Sequence, residues 1–218
     1  MFSHIFFDLD GTLIDSRPGI LASALHTIDT LKVPQDERPE DLTPFIGPPL
    51  RHSFMQLFGF DATKAERATE IYREFYGREG MHMFTVYPGI EEQLIKLKEK
   101  GLALSLVTSK AWVYAEKIVE EAGLLKYFSE LSGCEISGER SEKEELIHYT
   151  LEKLGLKPGP QIVMAGDRYH DIRGAKAAGI GSAAVLYGYG SREELENENP
   201  GLLIPSPGDL ACLLTSRA

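Results

Sequence analysis

Two aspartates stand two positions apart at the end of an apolar run near the start of the chain. They are Asp8 and Asp10, within "FFDLDGTLIDS" at residues 6–16. Residues i and i+2 of a strand project to the same side, so both carboxylates share a small volume. Like charges in such proximity raise one another's pKa unless a cation intervenes, and Mg²⁺ prefers oxygen ligands of this kind. An Asp-Gly turn that closes a strand is the alternative explanation.

Polar residues also follow two later apolar runs, at 102–107 and 161–165. Ligands of open parallel sheets bind beyond the carboxyl ends of the strands, so the residues after each run are expected to converge. The expected site comprises Asp8, Asp10, Thr108, Ser109, Lys110, Gly166, Asp167, Arg168 and Asp171.

Several of these residues also have purely structural explanations. Thr108 or Ser109 could cap the helix that follows them, and Asp171 could cap the helix over "IRGAKAAG". Lys143 lies in "SEKE", residues 141–144, which matches a capping box and puts the lysine in the first helical turn. The helix dipole disfavours a cation there. A solvated lysine balanced by neighbouring glutamates is one interpretation, and a functional lysine is the other.

The elements that must position these residues alternate along the chain. Short apolar runs at 4–8, 102–107, 161–165 and 182–186 are separated by segments of helical period. This alternation predicts an α/β fold with a Rossmann-like, doubly wound parallel sheet and right-handed crossovers. Residues 17–86 offer helical patterns and no strand run, which predicts an inserted all-helical domain. The predicted domains are therefore a core of residues 1–16 and 87–218, and a helical insertion of residues 17–86.

Composition excludes several classes of function. The 218 residues include 33 acidic and 23 basic side chains, a net charge of -10 that disfavours nucleic acid polymers as partners. Cys134 and Cys212 are the two cysteines, without a CxxC pair, so neither a disulfide framework nor a zinc site is expected. No apolar run approaches the roughly 18 residues of a membrane helix and no signal segment is evident, which predicts a cytoplasmic protein without a membrane partner.

Four motifs in order resemble those of the haloacid dehalogenase superfamily. They are "DLDGT" at 8–12, "VTSK" at 107–110, Lys143, and "GDRYHD" at 166–171. The chain is similar to the phosphatases of this superfamily that carry a helical (C1-type) cap inserted after the first motif. "IGPPLRHSF", "SGERSEKEELI" and "LYGYGS" resemble the phosphoglycolate phosphatase-like branch, which includes 5'-nucleotidases.

The resemblance implies roles for the residues of the site. Asp8 is implied as the nucleophile that forms an aspartyl-phosphate, and Asp10 as the general acid and base. Mg²⁺ is implied as the cofactor, held by the Asp8 side chain, the Asp10 backbone carbonyl and Asp167, with Asp171 supporting its water shell. The residues implied to bind the phosphoryl group or substrate are Gly11, Thr12, Thr108, Ser109, Lys110 and Lys143.

The implied substrate is a small phosphomonoester, with nucleoside 5'-monophosphates ahead of phosphoglycolate. The alternatives are a sugar phosphatase or phosphomutase, and a catalytically silent phosphometabolite-binding module. Arg51, which follows "GPPL", is the leading candidate for contact with the distal part of the substrate. Phe45, Tyr87 and Tyr187 are candidates for stacking on a nucleobase or, alternatively, for core packing. A monomer or homodimer is expected.

Overall fold

The computed structural model describes residues 2–48, 50–137 and 139–216. The chain divides into two compact units, the sheet unit (Met1–Asp15 and Thr85–Ala218) and the helical unit (Ser16–Phe84). The turn predicted around residues 48–50 includes Pro49, which lies outside the described residues.

The two units contain the following strands and helices. The strands are β1 (His4–Phe7), β2 (Ile14–Asp15), β3 (Thr85–Val86), β4 (Ala103–Ala111), β5 (Glu130–Cys134), β6 (Ile162–Gly166), β7 (Gly181–Val185) and β8 (Leu202–Ile204). The α-helices are α1 (Arg17–Thr30), α2 (Leu50–Phe58), α3 (Ala62–Arg78), α4 (Ile90–Glu99), α5 (Trp112–Glu121), α6 (Lys143–Lys153), α7 (Tyr169–Ala177), α8 (Arg192–Asn197) and α9 (Leu210–Thr215).

Six strands of the sheet unit form one parallel sheet in the order β5-β4-β1-β6-β7-β8. β1 is central: His4 lies opposite Ala103 of β4 on one side and Ile162 of β6 on the other. The chain builds outward from β1 to β5 and then returns to the far side of β1 with β6. This reversal of direction is where open α/β sheets bind ligands. The predicted Rossmann-like parallel sheet is confirmed.

β1 is a continuous apolar run because both faces of the sheet are covered there. Ile5, Phe6 and Phe7 are fully buried. Phe6 belongs to a core cluster with Leu146 of α6 and other residues of α6, α7 and the central strands. The Phe7 ring meets the ring of Phe128 edge-on at 6.4 Å between centroids. Burial on both faces fixes β1 firmly, and with it the residues that follow it.

A two-stranded antiparallel ribbon lies where the sheet unit is interrupted in sequence. β2 pairs with β3, with Ile14 opposite Val86 and Asp15 opposite Thr85. The expectation that residues 17–86 contain no strand was therefore wrong for Thr85 and Val86, which form β3. Two residues are too few to produce a detectable period-2 pattern.

The helical unit is held together by aromatic packing. α3 packs against both α1 and α2. Phe45 is buried, and its ring centroid lies 4.9 Å from that of Phe54, so Phe45 packs in the core of this unit. The cluster of ring contacts comprises Phe45, Phe54, Phe58, Phe60, Tyr72 and Tyr76. Among the described helices, not one combines the length and the apolar composition that a bilayer crossing requires.

Candidate active site

Three carboxylates meet at the carboxyl end of the central strands. Asp8 directly follows β1, and Asp167 and Asp171 follow its neighbour β6. One carboxylate oxygen from each lies within 4.8 Å of the others. Asp167 is fully buried and Asp171 almost so. The structure thus brings Asp8 together with two acidic residues that lie about 160 positions later in the chain.

Lys143 is buried among these carboxylates at the start of α6. Its Nζ lies 3.0 Å from Asp8 Oδ1 and 2.9 Å from Asp171 Oδ1, and donates a hydrogen bond to the Val107 carbonyl oxygen at 3.0 Å. Burial alone lowers the pKa of Lys143, but Asp171 and Asp8 outweigh that effect and the net pKa is raised. Lys143 is therefore a fixed positive charge rather than a solvated surface lysine.

The capping box predicted at residues 141–144 is not formed. α6 begins at Lys143, and its N-cap residue, Glu142, makes no side-chain capping bond. The chain at Ser141 is held differently, because the Ser109 hydroxyl donates to the Ser141 carbonyl oxygen at 2.9 Å. The prediction that Lys143 lies in the first turn of the helix was nevertheless correct.

The acidic cluster carries more negative charge than Lys143 can balance. Burial, together with the charges of Asp171 and Asp8, raises the pKa of Asp167 well above its ordinary value. Burial also raises the pKa of Asp171, although Lys143 opposes the shift. Full ionisation of the three carboxylates beside one ammonium group leaves two uncompensated negative charges. A divalent cation would neutralise both.

The donor atoms of the cluster fit a hard divalent cation. Asp167 Oδ2 accepts a hydrogen bond from the Tyr189 backbone N–H at 2.7 Å, whereas its buried Oδ1 has no hydrogen-bond partner among the described residues. Buried polar atoms without a partner are costly and uncommon. All of the ligand atoms are carboxylate oxygens, which Mg²⁺ prefers. The residues present therefore fit the ion that the resemblance implies.

Asp10 lies apart from the three-carboxylate cluster. Its Oδ2 forms an ion pair with Lys110 at 3.0 Å. Its Oδ1 is buried and has no hydrogen-bond partner within the described ranges. Lys110 thus holds one oxygen of Asp10 in place, and the proton-transfer role of Asp10 stays a prediction. Metal coordination through the Asp10 backbone carbonyl stays a prediction.

Thr108 and Ser109, in the last part of β4, do not cap the next helix. α5 begins at Trp112, and its N-cap residue, Ala111, makes no side-chain capping bond. Thr108 is buried, and its Oγ1 accepts from the Lys110 backbone N–H at 3.2 Å. Ser109 is exposed and holds Ser141 instead, as described above. The capping interpretation was therefore wrong for both residues, because β4 extends as far as Ala111 and delays the helix.

Asp171 is the third residue of α7, not its N-cap residue. The N-cap is Arg168, whose backbone N–H donates to Asp171 Oδ2 at 3.1 Å. The simple capping prediction was therefore wrong in position. One oxygen of Asp171 secures the start of α7 while the other faces Lys143.

The turn after Asp10 passes very close to Asp167. Gly11 has a φ of +74°, and a Cβ at this position would lie 2.1 Å from Asp167 Oδ2. Only glycine allows this approach. Thr12 is fully buried, and its carbonyl oxygen accepts from the Tyr187 hydroxyl at 3.0 Å. The rings of Tyr187 and Tyr87 pack edge-on at 5.2 Å, so both take part in packing within the sheet unit.

Arg51 lies in α2 of the helical unit. Its side chain is half-exposed, and its Nε lies 3.6 Å from Glu66 Oε2. Such an exposed ion pair contributes little stability. The role of Arg51 in contacting substrate stays a prediction.

Sequence reasoning did not identify Tyr189 and Asp15 as part of this region. Besides its backbone contact with Asp167, Tyr189 donates from its hydroxyl to Asp15 Oδ1 at 2.8 Å. The two residues are 174 positions apart, so no local pattern joins them. The available signal was the Gly-Tyr-Gly sequence shortly after β7, at the edge of the sheet where ligands bind.

Comparison with known proteins places this geometry in context. A family model described as haloacid dehalogenase-like hydrolase matches residues 5–185. The chain is 39% identical to a 5'-nucleotidase of Pseudomonas aeruginosa, over 91% of this chain and 89% of the relative. It is 36% identical to tyrosine-protein kinase PtkA of Mycobacterium tuberculosis, over 88% of this chain and 65% of the kinase.

Other relatives carry further phosphatase names. Pyrophosphatase PpaX of Bacillus velezensis is 33% identical, over 94% of this chain and 93% of the relative. A phosphoglycolate phosphatase of Vibrio parahaemolyticus is 30% identical over the same shares. Among solved structures, a predicted phosphatase from Clostridium acetobutylicum superposes with a TM-score of 0.89 at 37% identity, covering 97% of each chain.

Proposed function

The chain belongs to the haloacid dehalogenase-like hydrolase family, and we propose that this phosphatase is a Mg²⁺-dependent hydrolase of nucleoside 5'-monophosphates. The observation that carries the proposal is the cluster of Asp8, Asp167 and Asp171 around Lys143. The 5'-nucleotidase relative, which matches 91% of this chain, supports the choice of substrate class.

In the first step, an oxygen of Asp8 attacks the phosphorus of the substrate. A bond forms between that oxygen and phosphorus, and the bond from phosphorus to the ester oxygen breaks. Asp10 donates a proton to the departing alkoxide, which leaves as the alcohol. The ion pair of Asp8 with Lys143 supports this role, because it fixes the nucleophile beside β1.

In the second step, water hydrolyses the aspartyl-phosphate. Asp10, ionised after the first step, takes a proton from the attacking water, and inorganic phosphate leaves as Asp8 is regenerated. The unpartnered Oδ1 of Asp10 supports its role in both proton transfers, since Oδ2 is already engaged by Lys110.

The remaining site residues bind charge. Asp8, Asp167 and the Asp10 backbone carbonyl would hold Mg²⁺, with Asp171 supporting its water shell, and the bound ion would supply positive charge to the phosphoryl oxygens. Thr108 and Lys143 would bind those oxygens, and Gly11, Thr12, Ser109 and Lys110 would complete the phosphate pocket. The position of Thr108 at the end of β4, next to β1, supports its assignment.

We propose that the helical unit acts as the cap that selects substrate. The sheet unit supplies phosphate and metal contacts that any phosphomonoester could use, so discrimination requires another part of the chain. Arg51 would contact the distal group of the substrate. The net charge of -10 supports a small substrate over a nucleic acid polymer.

Phosphoglycolate is the second candidate substrate, favoured by the relative named phosphoglycolate phosphatase. Like a nucleotide, it would be hydrolysed through Asp8 and Asp10. The two candidates differ only in the group beyond the phosphate, so a substrate panel separates them.

The test is phosphate release by the purified protein. With an aryl phosphate, we expect turnover in Mg²⁺ and its loss in excess chelator. Full activity in chelator contradicts the metal assignment. A panel should include nucleoside 5'-monophosphates, phosphoglycolate, sugar phosphates, pyrophosphate and a phosphotyrosine peptide, with nucleotides expected to give the highest kcat/KM. A phosphomutase would isomerise a sugar phosphate without releasing phosphate, and a silent binding module would release none from any compound.

A further inference from the structure

One residue of the loop at residues 186–191, "LYGYGS", contacts both Asp167 of the acidic cluster and Asp15 of β2. The Tyr189 backbone N–H donates to Asp167 Oδ2 at 2.7 Å. The Tyr189 hydroxyl donates to Asp15 Oδ1 at 2.8 Å. One residue thereby joins a carboxylate of the candidate metal site to β2, of which Asp15 is the last residue.

Close backbone packing holds this loop in place. A Cβ at Gly188 would lie 2.3 Å from Asp167 Cβ and 2.4 Å from the Gly11 carbonyl oxygen. On the other side of the contact, a Cβ at Gly11 would lie 2.8 Å from Tyr189 Cδ2. Two glycines therefore let the loop, Asp167 and the turn after Asp10 press against one another. A displacement of the loop would be transmitted directly to Asp167.

The ribbon at the other end of this connection is short. β2 and β3 pair through two residues each. β2 is also anchored to the turn after Asp10, because the Gly11 N–H donates to the Ile14 carbonyl oxygen at 2.8 Å and Ile14 is fully buried. A hydroxyl donor to a carboxylate is a charge-assisted hydrogen bond, which is stronger than a neutral one. The bond from Tyr189 to Asp15 therefore holds the loop against β2.

We propose that Tyr189 is a positioning residue for the metal site, because it fixes Asp167 through its backbone and is itself fixed by Asp15. Partners that orient metal-binding carboxylates are known to tune metal affinity. Loss of the Tyr189 hydroxyl releases one end of this connection and leaves Asp167 less well oriented. The inference rests on the proposed function, since it presumes that Asp167 binds a divalent cation.

The test is Tyr189→Phe, which removes the hydroxyl and keeps both the ring and the backbone N–H. Binding of Mn²⁺ to the full-length protein is measured directly by electron paramagnetic resonance, and Mg²⁺ binding by calorimetry. We expect the Kd of both ions to rise about tenfold, which is the low end of the effects of such orienting residues. The Mg²⁺ concentration for half-maximal phosphatase activity should rise by the same factor.

A matched control separates this effect from the general loss of a tyrosyl hydroxyl. The Tyr127 hydroxyl donates to Glu91 Oε1 at 2.8 Å, the same chemistry at the same distance on an exposed face of the sheet unit. Tyr127→Phe should leave the Kd of Mn²⁺ unchanged. Asp15→Ala should reproduce the effect of Tyr189→Phe, the double variant should add nothing, and Asp15→Asn, which keeps an acceptor oxygen, should weaken binding less.

The outcomes are distinguishable. If the unsubstituted protein binds Mn²⁺ and Tyr189→Phe binds it equally well, the positioning role is wrong and the metal site stands. Additive losses in the double variant would also overturn the proposal, because they would mean that Tyr189 and Asp15 act independently. If the unsubstituted protein binds no divalent cation, the metal site and the positioning role fail together.

Discussion

Replacement of Asp167 by asparagine should stabilise the protein in the absence of metal while it removes metal binding. Asp167 is fully buried beside Asp8 and Asp171. Asparagine has the same shape, keeps an oxygen to accept from the Tyr189 N–H, and replaces the unpartnered Oδ1 with an amide that can donate to the neighbouring carboxylates. The substitution therefore removes repulsion without leaving a cavity.

The magnitude follows from the geometry. At separations of up to 4.8 Å and an effective dielectric constant of about 20, each carboxylate pair repels by about 3.5 kcal/mol. Lys143 offsets part of this repulsion. Asp167 can also take up a proton, which limits how much its charge destabilises the folded protein. Protonation at pH 7, about 3 units above the ordinary Asp pKa, costs about 4 kcal/mol, and this value is the ceiling on the destabilisation. We expect a gain of about 1–3 kcal/mol, or roughly 2–12 °C in Tm for a chain of this length.

The gain should depend on pH in a definite direction. Burial and the neighbouring carboxylates raise the pKa of Asp167 in the folded protein, whereas the unfolded chain has the ordinary value. Between those two values the folded protein holds a proton that the unfolded chain has lost, so stability falls as pH rises through that window. The advantage of Asp167→Asn should therefore be small at about pH 4 and largest at neutral pH and above.

The assay is calorimetric unfolding in chelator and in Mg²⁺ across this pH range. Mg²⁺ should stabilise the unsubstituted protein, by about 2.7 kcal/mol at one hundred times its Kd, and have little effect on Asp167→Asn. The Tm advantage of Asp167→Asn over the unsubstituted protein should therefore shrink or change sign when Mg²⁺ is added. Asp36→Asn, at an exposed aspartate, is the control. A variant that is less stable than the parent in chelator at neutral pH would refute the repulsion argument.

Three further predictions concern the Asp8–Asp10 pair, Lys143 and Arg51. Asp8→Asn should abolish turnover, whereas Asp10→Asn, given an aryl phosphate, should accumulate phosphorylated Asp8 that mass spectrometry detects. The assigned roles are contradicted if Asp10→Asn forms no phosphoprotein and Asp8→Asn is still active. Lys143→Met should lower the free energy of unfolding by about 3–5 kcal/mol, because it leaves buried charges unpaired. Lys126→Met, at an exposed ion pair, should change Tm little. Similar Tm values for the two variants would contradict this prediction. Arg51→Ala should lower kcat/KM for the preferred substrate and spare aryl phosphate, whereas equal losses on both would place Arg51 in folding or the phosphate machinery.

The parts of the fold that sequence reasoning found are those buried on both faces. β1, β4, β6 and β7 coincide with the predicted apolar runs, because central parallel strands require apolar residues throughout. β5 and β8 were not predicted. They are the two edge strands. β5 reads "ELSGC" and has no apolar run, and β8 reads "LLI", which is apolar but only three residues long.

The candidate site was predictable where chemistry is concentrated at strand ends. Asp8 and Asp167 follow the two strands at the point of reversal, and their convergence follows from topology alone. The partners of Lys143 were not predictable, because its approach to Asp8 and Asp171 depends on how α6 packs against α7. The connection from Tyr189 to Asp15 depends on tertiary packing across 174 positions and leaves no periodic signal.

The central position of β1 has a consequence for synthesis on the ribosome. β1 emerges first, yet both of its neighbours come much later, since β4 begins at Ala103 and β6 at Ile162. At about 5–20 residues per second, the nascent "HIFF" strand waits on the order of 5–20 s before its first partner is made. The helical unit, formed from consecutive residues, can fold during that interval. The exposed strand is the segment of the nascent chain that chaperones are expected to protect.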